Sequence, residues 1–228
     1  LGAAGWVTFG AQALLREVLI LSLLPVGMLG MWRLLRPLDT VWGRVVGTLL
    51  YAALPVPYNA LVDGRWGALL LIAATPFAVR RLLGAFRVPY YFGRDTGILT
   101  QSAALGLLIA VVAAFEPVIF LIVLAISLVV ALGTIGLVAG SDSFRGIAIA
   151  SLSLGIGSLM HFPWVGVLGG SDEVLTHLLV RSPSEDFDGL SDLLRFAPGF
   201  FGSKWAAWCP LLVATIPLLL GRGERLRM

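Results

Sequence analysis

The stretch Pro55-Val-Pro-Tyr-Asn-Ala-Leu-Val-Asp-Gly-Arg-Trp66 is the most specific candidate for chemistry in the chain. Its two prolines loosen the end of an apolar helix, and the backbone groups they free must be satisfied by protein or by water in a cavity. Tyr58, Asn59, Asp63 and Arg65 supply hydrogen-bonding groups there. A guanidinium suits a phosphate or pyrophosphate because its fork engages two oxygens at once. The same residues also read as an ordinary turn, in which Asp63-Gly64 makes the bend and Asp63 pairs with Arg65.

Other candidates lie downstream. Glu116, in Phe115-Glu116-Pro117, is either a solvated turn residue or, leaning into a cavity, a base or hydroxyl-orienting group. His161, in Met160-His-Phe-Pro-Trp164, is an intramembrane ionisable group and so a functional candidate, with Trp164 offering an aromatic face of the kind that stacks on sugars. Its alternative is a structural histidine satisfied by its neighbours. Arg16-Glu17 reads as an interfacial pair and His177 as solvent-exposed. Two histidines without paired-ligand spacing make no zinc site, so neither metal nor cofactor is expected. Asp186-Phe187-Asp188 matches the Asp-x-Asp of nucleotide-sugar enzymes but sits in a Ser/Pro/Asp loop without a strand–helix context. Gly155-Ile-Gly157, with Gly133, Gly136 and Gly140, reads as permitting close helix packing. The single Cys209 reads as a small buried apolar side chain, and no residue is assigned a catalytic role.

The elements that must position these groups follow from composition. Of 228 residues 58% are apolar and 13% charged, against roughly a quarter charged in an ordinary soluble domain. The 27 Gly and 12 Pro follow no collagen-like period. The chain therefore reads as an all-α polytopic membrane helix bundle of about seven transmembrane helices, each needing about 20 apolar residues. Hydropathy places them at about 14–35, 43–62, 66–79, 98–115, 117–139, 146–168 and 205–220. The third and last are short and broken by Pro76, Pro210 and Pro217, as tilted, thin or re-entrant elements would be. The tight Phe115–Pro117 turn demands an antiparallel helical hairpin. A long extracytoplasmic loop, 169–204, carries short amphipathic helices: Ser171-Asp-Glu173 caps one, with Val174, Leu175, Leu178 and Leu179 as its apolar stripe, and Leu190 to Phe196 repeats the pattern. The whole of 1–228 reads as one membrane domain, and its start at Leu1 as part of a longer chain.

Basic residues stay on the cytoplasmic side of short loops. With the N-terminus outside a plasma membrane and the C-terminus inside, eleven basic residues lie inside: Arg33, Arg36, Arg44, Arg80, Arg81, Arg87, Arg94, Arg145, Arg222, Arg225 and Arg227. Five lie outside, while the acidic residues divide four inside and nine outside. The net charge of +3 is thus a topology signal and not a nucleic-acid footprint. Fifteen of the sixteen basic residues are Arg, which with the Ala, Gly, Val and Leu excess suggests a GC-rich, actinobacterial source.

Several of these segments resemble the multi-pass membrane region of large actinobacterial envelope proteins assigned to family-2 glycosyltransferases. The resemblance runs from Leu14 to Gly221. It rests on Leu24 to Gly27, Gly30-Met-Trp-Arg-Leu-Leu-Arg36, Tyr51-Ala-Ala-Leu-Pro-Val-Pro-Tyr-Asn-Ala-Leu61 with Gly64-Arg-Trp66, Thr75-Pro76-Phe77 before Arg80-Arg81, His161-Phe-Pro-Trp164, and Leu193-Leu-Arg-Phe196. The first half is more distantly similar to GT-C glycosyltransferases that use polyprenyl-phosphate sugars. The resemblance implies cell-envelope glycan synthesis, in which a lipid-linked sugar donor and a glycan acceptor meet on the outer side. Tyr58, Asn59, Asp63, Arg65, Glu116, His161 and Trp164 are the substrate-binding positions so nominated, and no catalytic residue is carried over. Two other readings stand beside this one: a transporter or flippase for a lipid-linked glycan, and a non-catalytic anchor or assembly subunit whose 171–203 loop binds an envelope-protein partner.

Overall fold

The structure, a computed structural model, describes residues 12–37, 40–88, 90–91, 97–134 and 140–162. Seven helices occupy them: α1 (Gln12–Leu34), α2 (Val41–Ala52), α3 (Pro55–Val62), α4 (Trp66–Ala85), α5 (Ile98–Ala113), α6 (Ile119–Thr134) and α7 (Gly140–Met160). No strand occurs among the described residues, as an all-α chain requires. Four stretches are long and apolar enough to cross a membrane: Arg16–Leu34, Val41–Val62, Trp66–Ala85 and Asp142–Met160. Helices α5 and α6 are apolar but only 16 residues each, about 24 Å at 1.5 Å per residue. The 169–204 loop, the 205–220 span and Trp164 lie outside the described residues.

Two spans differ from their expected form. The second is a pair of helices, because Leu54 before Pro55 takes the extended ψ of 135° that a following proline favours. Pro55 then restarts the helix at a position where its missing N–H costs nothing. Upstream, Thr40 caps α2, its hydroxyl accepting from the Gly43 N–H at 3.3 Å. The third span, expected to be short and broken, is a continuous 20-residue helix running straight through Pro76. Proline cannot donate to the carbonyl four residues back, which here is Ile72. The Tyr51 hydroxyl of α2 donates to that carbonyl at 2.9 Å. A neighbouring helix thus supplies the bond that Pro76 removes.

Helix α4 is the axis of the bundle, packing against α1 and α3 on one side and α5, α6 and α7 on the other. Its buried side chains Ala74, Ala78 and Leu82 join Leu105, Ile109, Val112, Ile119 and Val123 in one core. Small residues let the backbones approach. Gly27 faces Ala73 and Gly30 faces Pro76 and Phe77, so α1 and α4 run parallel in a fixed register. On the other side Gly106 of α5 meets Ser153 and Ile156 of α7, while Gly157 meets Ile109, again in parallel. The Ser153 hydroxyl back-bonds to Ile149 at 2.7 Å, which leaves its face smooth. Gly133 and Gly155, expected to be packing positions, face nothing within 4 Å among the described residues. Outward faces carry apolar side chains such as Leu19, Leu128 and Val129, as bilayer contact requires.

Candidate functional site at the Arg65–Glu116 end

Helix α3 ends in a turn that fixes Arg65. The Arg65 N–H bonds to the Ala60 carbonyl at 2.7 Å and the Gly64 N–H to Leu61 at 3.2 Å, the paired bonds of a Schellman cap. Gly64 sits at φ +66°, the left-handed conformation this cap needs and glycine allows. Arg65 then becomes the N-cap residue of α4, with its side chain exposed. Asp63 caps the end of α3 and forms no ion pair with Arg65 among the described residues, so the bend is made by the backbone cap alone.

The α5–α6 turn seats on this junction. A Cβ at Gly67 would lie 3.0 Å from the Phe115 carbonyl and 3.3 Å from a carboxylate oxygen of Glu116. A side chain at 67 would press on this approach, so the glycine lets the turn sit close. Trp66 and Phe115 pack ring to ring at 5.7 Å, tilted by 56°. Glu116 therefore stands beside the first turn of α4, where unpaired N–H groups and the helix dipole favour a negative charge. The turn is itself held by the Glu116 N–H to Val112 at 2.8 Å and Ile119 N–H to Glu116 at 3.3 Å, closing the expected hairpin.

His161 lies one residue beyond α7. Its Nδ1 is 2.8 Å from the Gly157 carbonyl oxygen. A carbonyl can only accept, so Nδ1 carries the hydrogen, and in the neutral ring Nε2 is left as the acceptor. Phe120, in the first turn of α6, meets the imidazole edge-on at 6.2 Å. Tyr58 is partly exposed and Asn59 is buried, both on α3.

Six of the seven nominated residues thus gather at the end where α3 joins α4, α5 turns into α6, and α7 terminates; the seventh, Trp164, lies outside the described residues. Arg65, Glu116 and His161 share that end without hydrogen-bonding one another among the described residues. The arrangement offers a cationic fork, a carboxylate and an imidazole acceptor at one end of the bundle, with Trp66 at the start of α4. No group of three or more His, Cys, Asp or Glu side chains there could hold a metal ion, among the described residues. A shallow apolar groove of about 460 Å³ runs along α7 between Ala148 and Leu159 and includes none of the nominated residues.

Two features escape the residue patterns. Trp66 and Gly67 make the seat for Glu116, a relation between positions some fifty residues apart that hydropathy does not express. At the other end, arginines whose distribution reads along the chain only as a topology signal are brought together by the parallel register of α1 and α4. No protein-family model, curated relative or solved structure matches this chain.

Proposed function

We propose that the chain is the membrane module of a cell-envelope glycosyltransferase that handles a polyprenyl-phosphate-linked sugar at the Arg65–Glu116 end, on the outer side of the plasma membrane. The observation that carries the reading is the seating of the Glu116 turn on the first turn of α4. It brings a carboxylate to the residue that follows Arg65 by two, and His161 flanks the same hairpin through Phe120. In this reading the Arg65 fork binds the lipid phosphate, and Trp66 lies against the sugar. Glu116 and Nε2 of His161 accept hydrogen bonds from hydroxyl groups of donor or acceptor. The residues are given binding roles and no catalytic one.

The test is transfer from a radiolabelled polyprenyl-phosphate sugar in membranes carrying the full-length protein. Arg65→Ala should reduce transfer by tenfold or more, about what one lost charge-assisted fork contributes. Arg65→Lys should recover part of it, with a raised KM for the donor. Undiminished transfer in a folded Arg65→Ala protein would remove Arg65 from the site.

A further inference from the structure

The end of the bundle opposite Glu116 concentrates positive charge. Helices α1 and α4 run parallel, with Gly27 on Ala73 and Gly30 on Pro76 and Phe77. One further turn along both helices brings Arg33 level with Arg80. Arg36 follows in the turn after α1, held by the Arg44 guanidinium, whose Nη2 donates to the Arg36 carbonyl at 2.9 Å. Arg81 is the next residue of α4 and Arg36 follows Arg33 by three, so the four guanidiniums share this end of the bundle. None of these four guanidiniums has an ion-pair partner among the described residues. Asp142, the described acidic residue of this end, is 3.1 Å from Arg87 and engaged there.

Four like charges cannot relieve their repulsion by losing protons, since a guanidinium stays charged at any physiological pH. Lysines could deprotonate or swing apart, but every member of this cluster is Arg. Among the described residues nothing offsets the repulsion; an anion would, and planar forks match the oxygens of a phosphate. The surroundings say which kind. Trp42, at the start of α2 beside Arg44, is 79% exposed, as an aromatic side chain at the membrane interface is. Immediately along α1 and α2 from the cluster, Val26, Leu29, Val46 and Leu49 are exposed apolar side chains along which acyl chains can lie.

We propose that Arg33, Arg36, Arg80 and Arg81 form a binding site for the phosphate of an anionic phospholipid, whose acyl chains run along α1 and α2. The site is separate from the proposed sugar site and does not depend on it.

The test uses the full chain purified in a zwitterionic detergent, with phosphatidylglycerol, phosphatidylcholine and inorganic phosphate as probes, read by native mass spectrometry and by the thermal unfolding midpoint. The wild type should retain phosphatidylglycerol in preference to phosphatidylcholine and gain thermal stability from it. The double variant Arg33→Gln/Arg80→Gln should lose that preference by about tenfold or more, while Arg16→Gln, exposed at the other end, should keep it. The exposed pair Arg36→Gln/Arg81→Gln alters no packed side chain and gives the same reading if the first pair misfolds. Equal retention of the two lipids by the wild type, or unchanged preference in both double variants, would overturn the proposal. Stabilisation by millimolar inorganic phosphate equal to that by phosphatidylglycerol would also overturn it, making the ligand a soluble phosphate and not a lipid.

Discussion

The Tyr51 hydroxyl does for Pro76 what no residue of α4 can: it satisfies the Ile72 carbonyl inside a helix surrounded by apolar groups. Tyr51→Phe should therefore destabilise the protein by about 1 kcal/mol, the net worth of one interhelical bond in a membrane protein. In a Pro76→Ala background the restored backbone N–H takes over the carbonyl, and Tyr51→Phe should then cost much less. A double-mutant cycle on detergent-solubilised protein checks this, and equal costs in both backgrounds would show that the bond is idle. A second prediction concerns Gly64, whose φ of +66° is combined with open space around its Cβ position. Gly64→Ala should cost roughly 1–2 kcal/mol through backbone conformation alone, and Gly64→Asn less, as thermal unfolding would record. These two positions mark the boundary of what the chain discloses locally. The Asp63-Gly64 bend is legible because a left-handed cap is written in adjacent residues. The rescue of Pro76 is not, because its partner lies 21 residues away on another helix.

At the scale of elements, glycines act through the neighbour they admit. Gly146 of α7 lies directly against the ring of Phe86, a fully buried side chain just beyond α4. A methyl group there must displace that ring, so Gly146→Ala should cost about 1–3 kcal/mol by overpacking. Gly155, nine residues along the same helix, faces nothing within 4 Å among the described residues, and Gly155→Ala should change stability by less than about 0.5 kcal/mol or raise it slightly. Comparing the unfolding midpoints of the two variants tests the packing directly. A glycine motif in an apolar run reports that close approach is possible somewhere, and only the rotation of the helix decides which glycine is used. The same reasoning explains the spans. Apolar length locates α1, α4 and α7, while the Pro55 and Pro57 pair announces only a loosened end to the second span and not its division into α2 and α3. The continuity of α4 depends on what packs around it, which hydropathy does not carry. The convergence of Arg65, Glu116 and His161 was legible in part. Alternation of helices sends their turns to one end, but the seat at Gly67 that brings Glu116 onto α4 is a property of packing.

Across the whole molecule the charges are sorted by end. Of the described arginines, Arg33, Arg36, Arg44, Arg80, Arg81, Arg87 and Arg145 lie toward one end and Arg16 and Arg65 toward the other, together with Glu17, Asp63 and Glu116. Because translocating basic segments is disfavoured, this asymmetry predicts an arginine-rich end in the cytoplasm. The proposed sugar site then faces outward and the proposed lipid site inward. Labelling of introduced cysteines decides the orientation. Cys209 is the only cysteine, so Cys209→Ser gives a silent background. In intact cells a membrane-impermeant maleimide should label Asp63→Cys, in the exposed turn before α4, and should leave Trp42→Cys unlabelled until the membrane is permeabilised. The reverse pattern would place Arg65, Glu116 and His161 in the cytoplasm, where a sugar donor is nucleotide-linked. That outcome would remove the outward lipid-linked substrate while leaving the helix packing as it stands.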